Sequence, residues 1–443
     1  MLFFEPGQIG FVGGTIEEEL ISDEEGRMSA AVLEGLKVVE VSAFIAAPLG
    51  GMALAQLGAD VVRIDQTGGG PDLRRWPVAE SGESLYWHGL NKGKRSVFLD
   101  LRSPEGQRAA QDLIIESGIV LTNMPAKAWL NYENLRQRRP DLIMLSIRGT
   151  HDNRAAVDYT VQARTGLPFM TGSARPDAPV NQLLPAWDAL CAMTAALGLL
   201  AAERRRRETG TGQLIELSLE DVALWMLGNL GYIAEIEVLK RERSAHANDV
   251  YGAFGRDFAT RDERRVMVAA LTPRQWSALC DATGLGEAFG HLEKAMKADF
   301  TADADRWRCR RAIAAVLEPW LAERTLAEVG QAFDAHRVLW GPYQTLRQLV
   351  ESDPACSEAN PLFARVHQPG VGTFLVPGSP LRFVGADPMP VRPSPVPGGD
   401  TRAVIAERLG LSPVALDKLV GAEPAGAAAP RSASDQDAVS GTN

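Results

Sequence analysis

The chain has 443 residues, 45% of them hydrophobic, enough to bury a large core divided over two or three domains. Its formal net charge of −10 speaks against a nucleic-acid footprint, which needs a basic face, so any anionic ligand must be met by a local basic cluster. Four widely spaced cysteines (Cys191, Cys280, Cys309, Cys356) without a CxxC pair, and six histidines without HExxH or HxxxH, argue against a disulfide framework or a metal site and for free thiols in a reducing cytoplasm.

Residues 1–27 carry neither the order of a signal peptide nor a helical or strand period. The Glu-Glu-Gly at 24–26 requires purine-rich codons of the kind found in a bacterial ribosome-binding site, so the native start is expected at Met28 and residues 1–27 are expected to be non-native or disordered. From there strands at 36–41, 59–65, 96–101, 119–123 and 142–147 alternate with helices at 48–57, 104–116 and 126–137. Short, near-continuous Val/Ile/Leu runs separated by helices mean a parallel sheet covered on both faces, and residues 28–240 are expected to form a large α/β, Rossmann-like domain. The Ala/Leu run at 189–202 is too short to span a bilayer and ends in the basic stretch 203–207, so a buried helix and no membrane association are expected. A strand at 214–219 then leads into a long amphipathic segment, 220–243, read as a bridging helix. A hairpin at 251–260 and 265–271 with helices at 273–283, 303–321 and 325–335 predicts an inserted smaller α+β domain over 245–335. Residues 336–421 return to the large domain with strands at 371–376 and 381–383 and a helix at 401–409, and 422–443 reads as a disordered Ala/Ser/Pro/Gly-rich tail.

Ligands of open α/β sheets lie beyond the carboxyl ends of the strands. The loop after the first strand, SAFIAAPLGG at 42–51, has its glycines inside the following helix rather than in a GxGxxG turn, which weighs against a dinucleotide-binding dehydrogenase, and there is no P-loop. The stretch NKGKRSVFLDLR sets Lys92, Lys94, Arg95 and Arg102 around one strand, with Arg63, Arg74 and Arg75 upstream. These are either a polyphosphate site, with Asn123 at the end of a neighbouring strand, or solvated gatekeepers of a sheet edge. Asp188 closes LLPAWD, where Pro185 resists helix, and stands directly before the 189–203 helix. The orphan N–H groups and the dipole of that helix would hold its carboxylate ionised and aimed, as a nucleophile requires; an ordinary N-cap has the same signature.

The blocks LEGLKVVEVSAFIAAPLGGMALAQLGADVVRID, GLNKGKRSVFLDLRSPEGQ, TNMPAKAW, LPAWDALCAMTAALGLLAAERRRRETGTGQ and YGAFGRDF, in this order, closely resemble the class III CoA-transferases over about residues 33–419. The resemblance implies a Rossmann-type large domain, a small domain and a homodimer of interlocked, ring-like chains, with Asp188 as catalytic carboxylate. It places CoA contacts on Ile45 and Ala46, on Leu99, Asp100, Leu101 and Arg102, and on Asn123 and Met124. CoA is then carried by an acyl-CoA substrate, with no separate cofactor, metal or nucleic-acid partner. Where several relatives put a basic residue for the CoA phosphates this chain has Gln66, so Arg63, Arg74 or Arg75 is expected to substitute. Racemases of the family use a His-Asp pair where this chain has Val157-Asp158, which removes the basic partner that α-proton transfer needs.

The wording of RRWP, GLNKGKRS, GLPFMTG and LPAWD resembles the members that move CoA from carbon 1 to carbon 4 of mesaconate, converting 2-methylfumaryl-CoA to 3-methylfumaryl-CoA. Such transfer runs through an aspartyl anhydride and an aspartyl-CoA thioester. Oxyanion donors are expected from the helix at Ala189 and from residues 251–255, and Arg148 or Arg256 is a candidate for the idle substrate carboxylate. An intermolecular CoA-transferase and a non-catalytic acyl-CoA-binding module remain the alternatives.

Overall fold

The computed structural model describes residues 31–172 and 178–421; the segments read as an extension (1–27) and a tail (422–443) lie outside the described residues. The Val/Ile/Leu runs form one six-stranded sheet from β1 (Lys37–Val41), β2 (Asp60–Gln66), β3 (Arg95–Leu99), β4 (Ile119–Thr122), β5 (Ile143–Arg148) and β6 (Gln213–Ser218). All neighbours are parallel, in the order β3-β2-β1-β4-β5-β6. The chain reverses its direction of travel across the sheet between β1 and β4, so the loops leaving these two strands diverge and open a crevice at their carboxyl ends.

Both faces of the sheet are buried, which is why its strands lack period-two alternation. One face packs on the helices Ala46–Ala55, Ala186–Thr209 and Leu219–Asn229, the other on Pro104–Ser117, Tyr132–Arg138 and Thr401–Leu409. The outer edge of β3 is closed by the segment that starts the last of these helices: Ser96 N–H donates to Asp400 Oδ2 (2.8 Å) and Phe98 N–H to Thr401 Oγ1 (2.9 Å). That edge therefore has its donors satisfied without a further strand.

A second core is built from β7 (Phe254–Ala259), β8 (Arg265–Ala270) and β9 (Leu339–Pro342), an antiparallel sheet whose helices bury Trp276, Phe289, Phe300 and Phe333. β10 (Phe363–Gln368) and β11 (Gly372–Pro377) form a separate hairpin.

Several expected elements differ. The segment 220–243 is not one helix: Leu219–Asn229 and Tyr232–Leu239 meet at 58°, because Gly231 takes φ +81° and ends the first helix. Residues 303–321 divide at Cys309 into Asp303–Arg308 and Arg310–Ala322, the helix expected at 126–137 is confined to Tyr132–Arg138, and 381–383 is not a strand. The helix carrying Asp188 runs for 24 residues and is long and apolar enough to cross a bilayer, longer than the sequence pattern suggests. Its buried residues Trp187, Cys191, Ala192, Ala195, Ala196, Leu199 and Ala202 form a stripe packed into the core, as in a central helix of a folded domain.

That helix crosses Ala46–Ala55 so closely that a Cβ at Gly50 would stand 2.9 Å from the carbonyl oxygen of Ala192, and one at Gly51 would overlap Glu40 Oε2. The two glycines that are misplaced for a phosphate loop are thus packing residues. Gly50→Ala should push the helices apart and cost about 1–3 kcal/mol, read as a lower urea midpoint at unchanged slope.

Candidate active site

The crevice at the reversal point is tied together by side chains of three loops. Asn123, after β4, accepts from Ala43 N–H through Oδ1 (3.0 Å) and donates through Nδ2 to Ala43 carbonyl (2.7 Å), locking the loop after β1 to the loop after β4. Asp72, in the loop after β2, accepts from Phe44 N–H (3.1 Å). Phe44 is held at φ +65°, a left-handed conformation unusual for an aromatic residue, and its ring is left partly exposed at the rim.

Beneath this rim lies a buried charge cluster. Glu40 and Arg63 are register partners on β1 and β2. Arg63 is fully buried; it donates through Nε to Asp65 (2.8 Å) and through Nη2 to Asp72 (2.9 Å) and to Ser42 carbonyl (3.3 Å). Lys94 Nζ donates to Glu40 Oε1 (3.1 Å), Asn91 Oδ1 (2.8 Å) and Pro48 carbonyl (2.8 Å), and burial draws its pKa down to about 8 against the pull of Glu40.

This corrects the reading of the basic stretch. Arg63 and Lys94 are internal struts, not phosphate ligands. Lys92 is buried and donates to Gly89 carbonyl (2.6 Å), while Arg95 pairs with Asp60 and Glu407. Of the residues expected around CoA, Ile45 and Ala46 lie where the first helix begins and Met124 follows Asn123, all at the crevice. Leu99 has its side chain in the core, so only its backbone can face a ligand. Gln66 is used structurally: it donates to Asp100 Oδ1 (3.0 Å) and accepts from Leu101 N–H (2.9 Å), fixing the turn on which Arg102 projects with its side chain 82% exposed.

Asp188 is not the cap of its helix. The helix starts at Ala186 with Pro185 at the cap position, so Asp188 is its third residue. The two free N–H groups, of Trp187 and Asp188, donate to Asp158 Oδ2 at 2.8 and 3.0 Å, and Ala189 N–H is spent on Pro185 carbonyl (3.0 Å). The start of this helix therefore has no N–H to offer an oxyanion, contrary to expectation. Asp158, read from sequence only as lacking a basic partner, turns out to be the capping residue, buried to 1% exposure. The Asp188 carboxylate itself receives no hydrogen bond among the described residues. Burial pushes its pKa up to about 7; the Asp158 carboxylate adds to the shift and Arg75 opposes it. The expectation of a carboxylate held ionised by a helix dipole is replaced by one poised near neutrality.

Arg75 and Tyr86 complete the neighbourhood. The Arg75 guanidinium lies over the rings of Phe44 (5.6 Å) and Tyr86 (5.1 Å) and has no ion pair among the described residues. The Tyr86 hydroxyl is buried without a partner, and burial lifts its pKa to about 12, so it remains a neutral donor. Arg148 and Arg256, the expected carboxylate ligands, are elsewhere: Arg148 pairs with Glu216 of β6, and Arg256 on β7 sits 3.7 Å from Asp249. In the 251–255 loop the Tyr251 hydroxyl donates to Glu235 (2.7 Å), and nothing there interacts with Asp188 within one chain.

A strand-end crevice with a free carboxylate at its mouth and no phosphate-cradling glycine turn suits acyl transfer on a carboxylate rather than hydride transfer. The comparisons agree. Residues 33–401 match CoA-transferase family III, and the chain belongs to that family. It is 51% identical over 393 residues, 88% of this chain and 96% of the relative, to 2-methylfumaryl-CoA isomerase of Chloroflexus aurantiacus. It is 28% identical over 382 residues (81% and 91%) to succinyl-CoA:mesaconate CoA-transferase of Haloarcula marismortui. A CaiB/BaiF family protein from Brucella suis superposes with a TM-score of 0.69 at 27% identity, covering 85% of this chain and 99% of that one.

If Asp188 is the attacking carboxylate it must be ionised, and kcat/KM should then fall about tenfold per pH unit below a midpoint near 7. Asp158→Asn keeps an acceptor for the helix N–H groups but removes the neighbouring negative charge, so the midpoint should move to lower pH, as a pH–rate profile of both proteins would read.

Proposed function

We propose that the chain transfers CoA intramolecularly between the two carboxyls of mesaconate, converting 2-methylfumaryl-CoA to 3-methylfumaryl-CoA, with Asp188 as nucleophile. The observation that carries the reading is the Asp188 carboxylate: half-buried at the crevice, free of hydrogen bonds among the described residues with Asp158 capping its helix, and raised in basicity. The 51% identity to 2-methylfumaryl-CoA isomerase over nearly the whole of that relative supports the choice of acyl group.

In this reaction an Asp188 oxygen attacks the thioester carbonyl, the C–S bond breaks and the thiolate leaves with the electron pair, giving a mixed anhydride. The thiolate returns to the aspartyl carbonyl and expels mesaconate, leaving CoA on Asp188. Mesaconate turns and attacks that thioester with its other carboxylate, and the same two steps run in reverse. Acyl activation is kept throughout, as thioester, anhydride or aspartyl thioester, so no further cofactor is needed. The first-turn amides of the helix Ala46–Ala55, at Ile45 and Ala46, are the donors we assign to the developing oxyanion. CoA lies along Leu99, Asp100, Leu101 and Arg102 and against Asn123 and Met124. The enzyme works in the cytoplasm, where its four free thiols stay reduced.

Asp188→Asn should abolish conversion of 2-methylfumaryl-CoA, and hydroxylamine trapping during turnover of the unmodified protein should label Asp188. Labelled free mesaconate should stay out of the product; rapid incorporation would favour intermolecular transfer instead.

We also read the chain as a homodimer, with the unit built on β7, β8 and β9 as a small domain that closes the partner's site; because β9 pairs with β8, that unit runs past the boundary at 335 expected from sequence. Leu197, Leu224, Trp225, Leu230, Ile233 and Val238, along the helices Ala186–Thr209, Leu219–Asn229 and Tyr232–Leu239 and the turn between the last two, are exposed by 45% to 74%, a run of large apolar side chains of the kind that marks a protein–protein contact. Trp225→Asp with Ile233→Asp should give a monomer by light scattering and lower activity at least tenfold.

A further inference from the structure

The proposed reaction leaves one carboxylate of the substrate unreacted at every stage, and after the first transfer both are free. Such a group needs a cation close to Asp188 that is not already neutralised. Arg75 is the cation that acts on Asp188, and it has no ion pair among the described residues.

Its placement is built rather than incidental. Arg75 N–H donates to Asp72 carbonyl (3.1 Å), and its own carbonyl accepts from Ser84 Oγ. Asp72 is fixed by Arg63, and Asp72 in turn fixes Phe44 by its N–H. The guanidinium faces both the Phe44 and Tyr86 rings, so the fork is held by aromatic faces that leave its N–H edges free for a planar anion. The Tyr86 hydroxyl, buried and unpartnered, lies within the field of both Asp188 and Arg75.

We propose that Arg75, seated on Phe44 and Tyr86, binds the free carboxylate of the dicarboxyl substrate, with the Tyr86 hydroxyl as a second donor. The inference rests on the proposed acyl-CoA reaction at Asp188. Arg75 is then the residue that selects an acyl group ending in a carboxylate. It is also the pivot of the isomerisation: once CoA has moved to Asp188 both ends of mesaconate are free carboxylates, and whichever end takes the guanidinium delivers the other to the aspartyl thioester.

The test is single-turnover formation of enzyme-bound CoA thioester from mesaconyl-CoA, succinyl-CoA and crotonyl-CoA, the last lacking the second carboxylate, at about pH 9 so that Asp188 is ionised in every variant. Arg75→Gln should slow loading from mesaconyl-CoA and succinyl-CoA by about 100-fold, the loss of a charged hydrogen-bonding partner, and loading from crotonyl-CoA by about 3-fold or less. Arg75→Lys, which keeps the charge but not the fork, should fall between. Equal losses on all three thioesters would overturn the proposal and make Arg75 a support for Asp188 or CoA; no loss on the two dicarboxylyl thioesters would overturn it as well. If the unmodified protein loads from succinyl-CoA but never converts mesaconyl-CoA, the isomerase reading fails while the succinyl-CoA and crotonyl-CoA comparison still decides the role of Arg75.

Discussion

The geometry of the crevice depends on the Arg63 side chain. It is fully buried, yet it reaches the carbonyl of Ser42 after β1, the carboxylate of Asp72 after β2 and the amide oxygen of Asn91 before β3. The loops after β1 and β2, which open at the carboxyl end of the sheet, and the turn that enters β3 are thereby held by one guanidinium. Replacing such a group by an apolar one of similar shape can be tolerated, but removing one member leaves buried charges without partners at a cost of roughly 3–5 kcal/mol. The cluster contributes positional precision more than stability, since the two strand-end loops it fixes carry residues at the rim: Phe44 and the start of the first helix after β1, and Arg75 after β2.

Two carboxylates at one helix start divide the work that a single aspartate would otherwise do badly. A capping carboxylate must accept N–H groups, and those bonds stabilise its charge and lower its basicity. A nucleophilic carboxylate needs free lone pairs and a basicity near the working pH. Asp158, brought from 30 residues upstream, accepts the N–H groups and burdens Asp188 with a neighbouring negative charge. Among the described residues Asp188 is left without hydrogen bonds and with its carboxyl raised, which would suit the proposed acyl anhydride, an intermediate that must also collapse readily.

The parallel sheet and the place of Asp188 at a helix start were legible in the sequence because both are local: Val/Ile/Leu runs of strand length, and an aspartate between a proline and an apolar helical run. What was hidden is non-local. The strand order is not written in any one segment. The Asp158 contact spans two helices, and Arg63 looked like a surface cation until DVVRID was seen buried on both faces. A signal was there: Glu40 in KVVEV and Arg63 in DVVRID interrupt otherwise continuous apolar strands, and a charge in the middle of a doubly covered strand has to find a partner inside. The break at Gly231 was equally readable in principle, since glycine after a helical run is a common stop. The amphipathic period on both sides of it masked the stop.

In the proposed reaction Arg75 would be tied both to Asp188 and to the substrate carboxylate, and this has an energetic consequence. In the free enzyme Arg75 is what opposes the rise in the Asp188 pKa caused by burial and by Asp158. A substrate carboxylate arriving at the guanidinium neutralises it, and the support Asp188 drew from that charge is withdrawn. The nucleophile becomes more basic and less stabilised at the moment the thioester carbonyl comes within reach, a ground-state effect supplied by binding at the far end of the acyl group. Where the pH keeps Asp188 ionised, an acyl-CoA without the second carboxylate leaves Arg75 unneutralised and Asp188 better stabilised, so the proposed selectivity for dicarboxylates would arise in the rate of attack as well as in binding.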